Sequence, residues 1–129
     1  MSDHTLPAPV QAMIDAINAA DTEAFVDAFT ADGFVSDWGT VKAGPAGVRD
    51  WAGSDAIGAG AQMTVLSAET EGDTTRLRFG WASRVFNGES DGIFVVEGDK
   101  LASFTIPPVP LTRQLRAVEP ARRLRAVES

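Results

Sequence analysis

The chain has 129 residues, 44% hydrophobic and 22% charged, which fits one compact domain with a continuous core and excludes a disordered chain. There is no cysteine and one histidine, His4 in the terminal stretch, which argues against disulfides, thiolate nucleophiles, histidine triads and histidine-ligated metals. The formal net charge of −7 disfavours nucleic acid as a partner, because phosphate binding needs a basic surface.

That charge is uneven. Residues 1 to 110 hold sixteen acidic and six basic side chains, net −10, whereas 111 to 129 hold five Arg and two Glu, net +3. No apolar run reaches the length of a bilayer, so no membrane partner is expected. Met1 to Thr5 has neither the basic region nor the apolar stretch of a secretory signal, and the expected location is the cytoplasm.

The first element is a helix. Val10, Met13, Ile14 and Ile17 recur at the spacing of one helical face, with Pro7 and Pro9 suited to its entry. Asp21 and Glu23 then open a second helix with an apolar face of Phe25, Val26 and Phe29, and Gly33 is placed to end it. A short strand follows over Phe34-Val35-Ser36-Asp37-Trp38. Gly44-Pro45 leads into one or two further helical turns with Val48, Trp51 and Ala52 inward, and Ser54 to Gln62 reads as a mobile loop.

From Met63 the texture is that of strands: Met63 to Thr70, Thr75 to Phe86, Gly92 to Glu97 and Leu101 to Ile106. The connections are Glu71-Gly72-Asp73, Asn87-Gly88-Glu89 and Gly98-Asp99. Alternation puts Leu77, Phe79, Trp81 and Val85 on one face of the long strand and a stripe of Arg76, Arg78 and Arg84 on the other. Helices followed by an antiparallel meander predict an α+β fold in which the helices cover one face of the sheet. Pro107-Pro108-Val109-Pro110 ends the sheet, giving a domain over 1–110 and a separate arginine-rich tail over 111–129. In the tail, Leu115 to Glu119 and Leu124 to Glu128 both read Leu-Arg-Ala-Val-Glu. It reads as a loosely helical extension that adds solubility or weak self-association.

Asp37 carries the chemical interest, because an ionised carboxylate in an apolar strand beneath helices must pair, raise its pKa or act as a base. Its structural alternative is a solvated strand end or a cap on the turn at Gly39. Asp91 lies in Ser90-Asp91-Gly92, a sequence that hairpin turns also favour. Trp38, Trp51 and Trp81 read as core or pocket wall, and Met13 and Met63 as adaptable filler or lining.

Three stretches resemble the nuclear transport factor 2-like superfamily: Ile17-Asn18-Ala19-Ala20-Asp21-Thr22-Glu23-Ala24-Phe25, Phe29 to Asp37, and Gly98-Asp99-Lys100-Leu101. The resemblance spans about Pro7 to Ile106 and implies a cone-shaped α+β fold, with helices packed on a curved antiparallel sheet. Its nearest functional analogues are ketosteroid isomerases and SnoaL-like polyketide cyclases. By position, Asp37 falls on the isomerase general base, Asp91 near its second carboxyl, and Met13 on its tyrosine. Methionine cannot donate a hydrogen bond, so the strongest electrophilic element of an isomerase is missing.

What the resemblance implies is a small-molecule-binding domain, with Asp37 and Asp91 as catalytic carboxyls and Met13, Trp51, Met63 and Trp81 lining a hydrophobic pocket. Such a protein needs no metal or organic cofactor, takes an apolar small molecule and forms a homodimer through the outer side of its sheet. Two readings stay open. One is an isomerase or cyclase acting on a carbonyl compound, and the other is a non-catalytic module that binds an apolar ligand or dimerises.

Overall fold

The structure, a computed structural model, describes residues 6–108. His4 and the arginine-rich stretch 111–129 lie outside the described residues. Helix α1 (Ala8–Ala19) enters through Pro7 and Pro9 and buries Val10, Met13, Ile14 and Ile17, the face that the spacing marks. It ends on Ala20 in the left-handed conformation, with φ 57° and ψ 42°. Asp21 then caps α2 (Thr22–Asp27), its Oδ1 accepting the Ala24 N–H at 3.1 Å.

Here the chain departs from the expected pattern. Phe29 belongs to strand β1 (Phe29–Asp37), not to the helix, and Gly33 lies inside that strand. The Ala28 carbonyl accepts the Leu101 N–H at 2.7 Å and Phe29 pairs with Leu101, so the last strand draws the chain out of helix early. A Cβ on Gly33 would stand 2.9 Å from the Leu101 carbonyl oxygen. Gly33 therefore permits a close approach of two strands and does not end a helix.

A two-residue turn, Trp38-Gly39, folds β1 back onto β2 (Thr40–Ala43), a strand the sequence pattern did not mark. Helix α3 (Gly44–Asp55) is three turns long, and a single 3-10 turn, Ile57–Ala59, interrupts the stretch expected to be loop. Strands β3 (Gln62–Glu71), β4 (Thr74–Ala82), β5 (Asn87–Glu97) and β6 (Lys100–Ile106) complete the meander. The sheet order is β2-β1-β6-β5-β4-β3, antiparallel throughout except for the parallel pair β1 and β6. The fold is α+β, with a curved, unclosed sheet and the helices on one face.

The core fills the space between the helices and that inner face. Trp51 of α3 stacks on Phe25 of α2, with centroids 5.8 Å apart and planes at 24°, and meets Phe104 of β6 edge-on at 5.9 Å. Phe104 in turn stacks on Phe94 at 4.6 Å. Each such ring contributes about 2 kcal/mol from burial, with a further increment for ring geometry. Asn18 ties α1 to β3: its Nδ2 donates to the Met63 carbonyl at 3.0 Å, and its Oδ1 accepts the Met63 N–H at 2.7 Å. Gly92 makes room for the rings, since a Cβ there would lie 2.8 Å from Phe104 and 3.0 Å from Phe79.

Two expectations for the long strand are corrected. It ends at Ala82, and Ser83 to Phe86 form the turn, so Val85 is 63% exposed and not on the inner face. Arg84 leaves the expected stripe for the same reason. Its backbone N–H donates to the Ala59 carbonyl at 2.9 Å and its guanidinium to Gly58, tying this turn to the 3-10 turn.

Candidate functional site

The register of the sheet decides which polar groups share a chamber. Val35 and Asp37 of β1 pair with Phe104 and Ile106 of β6, and Phe79 and Trp81 of β4 pair with Ser90 and Gly88 of β5. These residues occupy the inner face, because side chains alternate along each strand. A cavity of about 280 Å³ opens beside them, just below the roughly 300 Å³ at which small-molecule sites begin.

Its buried wall is made by Trp51, Phe79, Trp81 and Ile106, none more than 8% exposed. The outer rim is apolar as well: Trp38, Val85 and Phe86 are 63%, 63% and 50% exposed, and Pro107 and Pro108 lie beside them. Asp37, Asp55, Glu89 and Ser90 supply the polar lining groups. No Lys, Arg or His is among the described residues that line the cavity.

Asp37 ends β1 and is partly buried there. The indole Nε1–H of Trp51 donates to its Oδ2 at 3.0 Å. Loss of hydration pushes the Asp37 carboxyl above its ordinary value; the Trp51 bond opposes that rise, and the charge of Asp55 adds to it. Trp51 and Asp55 are four residues apart on α3, so the helix presents them on one side. Among the described residues, neither Asp37 nor Asp55 forms an ion pair with a basic side chain, and no cluster of His, Cys, Asp or Glu could hold a metal ion. The Lys42 ammonium, which feels Asp55 weakly, is bound to Asp50 at 2.7 Å.

The expected partnership of Asp37 with Asp91 does not form. Asp91 pairs in register with Arg78 on the opposite face of the sheet, where Arg78 Nη1 reaches its Oδ1 at 3.1 Å and Nη2 reaches Glu89 Oε1 at 3.2 Å. It is not among the cavity-lining residues. Ser90, one position earlier, takes the inward place, since a shift of one residue moves a side chain to the other face. Glu89 touches the rim, yet its carboxylate is engaged by Arg78.

Of the four lining residues expected, the structure brings Trp51 and Trp81 to the cavity. Met13 and Met63 are instead buried in the core, 0% and 3% exposed, away from its walls. Asp55, Ser90, Phe86 and Ile106 were not marked as site residues. A sequence signal existed for Asp55, four residues after Trp51 on a helix face, but the expected helix was too short to reach it.

Trp38 carries a backbone anomaly at the rim. Its φ is 52° and that of Gly39 is 90°, the positive pair required by the mirror-image two-residue hairpin turn. Asparagine usually takes the first position, and a bulky aromatic there is strained by about 1 kcal/mol or more.

No family model and no curated protein matches the chain. Solved structures do. A Sinorhizobium meliloti protein assigned as a polyketide cyclase superposes with a TM-score of 0.70 at 24% identity, over 78% of this chain and 94% of that one. An NTF2-like protein from Cytophaga hutchinsonii gives 0.69 at 13% identity, covering 81% and 90%. A Catenulispora acidiphila protein of ketosteroid isomerase-like fold, solved in complex with trimethylamine, gives 0.66 at 21% identity, covering 79% and 85%. Identities this low speak for architecture alone, and with the element order and sheet topology they show that the chain has the cone-shaped nuclear transport factor 2-like fold.

Proposed function

We propose that the protein binds a small carbonyl compound in the cavity at Asp37 and moves a proton on it without a cofactor, as an isomerase or a cyclase would. The observation that carries this reading is the Asp37 carboxyl at the wall of an aromatic-lined chamber, held by the Trp51 indole N–H and with no ion-pair partner among the described residues, its pKa raised by loss of hydration. A raised pKa makes a carboxylate a stronger base once ionised, closer to the operating pH. A proton flanked by two carbonyls is acidic enough for such a base, because the substrate delocalises the charge it gains. Ser90, not Asp91, is the inward polar group of β5 in this proposal; its O–H donates to the Asp91 carbonyl at a long 3.4 Å and in the proposed reaction rotates to donate to the developing enolate oxygen. That donor is weaker than a protonated acid, so the reading favours substrates that need little electrophilic help. One structural neighbour was solved in complex with trimethylamine, which supports a small-molecule ligand for a protein of this fold.

The second reading, a binding module without chemistry, is favoured by the placement of Asp91 outside the chamber. In either case we propose a homodimer in the cytoplasm that buries the outer side of the sheet, where Ile93 and Val95 are half-buried in the single chain.

One experiment separates the two readings. Wild type and Asp37→Asn are compared on β-keto and enone substrates, with circular dichroism to show equal folding. General-base loss lowers turnover by about 10²- to 10⁴-fold. Equal turnover in both proteins removes the catalytic role of Asp37, and inertness of both with retained ligand binding supports the binding module.

A further inference from the structure

The charge balance of the cavity is one-sided. Five aromatic side chains line it, namely Trp38, Trp51, Phe79, Trp81 and Phe86, together with carboxylates and no basic group among the described lining residues. A chamber meant only for a neutral apolar molecule has no use for this arrangement, since each carboxylate at its wall loses hydration when the ligand arrives. Asp37 and Asp55 also repel one another across it, and among the described residues neither has an ion-pair partner.

The rings do not form a slot. Trp51 and Trp81 lie 6.1 Å apart with planes at 47°, and Phe79 and Trp81 lie 6.0 Å apart at 61°. A flat ligand needs parallel walls, whereas rings set at steep angles surround a rounded group. Aromatic faces carry negative potential, so a rounded group that suits both rings and carboxylates is a cation with an apolar surface. Trp38 adds to this from the rim, held 63% exposed in a strained turn position.

We propose that the cavity receives an alkylated ammonium head, held among Trp38, Trp51 and Trp81 and balanced by Asp37 and Asp55. This deepens the reading of the cavity as the ligand site and does not depend on any reaction there. Such a cation offsets the repulsion between the two carboxylates and, lacking N–H groups when fully alkylated, gives up little hydration on entry. Glu89 contributes less, because Arg78 already engages it at 3.2 Å.

The test uses two molecules of one shape. Choline and 3,3-dimethyl-1-butanol differ in a quaternary nitrogen against a quaternary carbon, and binding of each to the full chain is followed by tryptophan fluorescence and calorimetry. The cation is expected to bind about tenfold more tightly than the alcohol, the ratio that a partly desolvated cation–ring contact supports. Asp55→Asn and Trp38→Ala should each reduce the cation's affinity by about threefold or more while moving the alcohol's less; Trp38 is exposed at the rim and Asp55 is half-buried, and circular dichroism confirms the folding of both variants.

Equal affinity for the two molecules overturns the cationic specificity and leaves the cavity reading intact. So does choline binding that neither variant weakens, because the cation then sits elsewhere. If neither molecule binds while an enone does, the inference fails alone. If none of the three binds, the cavity reading fails with it.

Discussion

The two faces of the sheet treat a carboxylate in opposite ways. On the inner face Asp37 meets an indole donor, apolar walls and a second negative charge, and its proton is held more tightly. On the outer face Asp91 is more buried, 8% exposed, yet Arg78 sits 3.1 Å away and supplies the charge that burial calls for. Burial alone thus does not mark a reactive acid. What separates the two is a neighbour of opposite sign: Asp91 has one, whereas Asp37 has none among the described residues, and it is this difference that the proposed function rests on.

The contrast can be broken from either side. The largest change in stability is expected at Asp91→Ala, which removes a charged hydrogen bond from a partly buried arginine and should cost about 2 kcal/mol in urea denaturation. Turnover or ligand binding at the inner cavity should be unchanged per folded molecule. A loss of function without a loss of stability would place Asp91 back in the site.

A smaller effect is expected at the rim. Trp38→Asn gives the turn the residue that its positive φ favours and should raise stability by about 1 kcal/mol, read as a higher midpoint of unfolding. The same change should weaken ligand binding. If the variant is no more stable, Trp38 is not strained; if binding is untouched, the strain serves another purpose.

The smallest effect is in the dependence of stability on pH. The folded Asp37 carboxyl sits above 3.8, its ordinary value, and the unfolded one at that value. Below 3.8 both states hold the proton and the group contributes nothing. As pH rises from there the unfolded chain releases its proton first, so the wild type loses stability until the folded value is passed, and is level beyond it. Asp37→Asn lacks this loss and should gain relative to wild type between acid and neutral pH. A constant difference across that range would show that Asp37 has no shifted titration.

Much of the inner face was legible in the sequence, because alternation along β4 and the spacing of α1 are local signals. Leu77, Phe79 and Trp81 point inward as their period of two requires. The position of the β4 to β5 turn was not legible. Asn87-Gly88-Glu89 has the residues that hairpins favour, yet the chain turns earlier, where Ser83 Oγ accepts the N–H groups of Val85 and Phe86 at 3.2 and 3.1 Å. A serine turn leaves a fainter trace than Asn-Gly.

That displacement is what misplaced the second carboxyl. With the turn at Asn87, Asp91 opens a strand and its facing is undecided; with the turn at Ser83, Asp91 lies within β5 and the register assigns it to Arg78. Asp55 was missed because α3 runs further than Gly53 and Ser54 advertise. Residue type alone does not distinguish a methionine that fills the core from one that lines a cavity. Long-range packing, which sequence spacing does not carry, put Met13 and Met63 in the buried core and not on the cavity lining.

The most direct measurement is the titration of Asp37 itself, followed through its carboxyl carbon by NMR in the wild type and in Trp51→Phe. The midpoint should lie above 3.8 in the wild type and rise further in the variant, where the indole donor is gone. A midpoint at or below 3.8, unmoved by loss of the indole, would mean a carboxylate at ease in water and would leave the inner face without a reactive group.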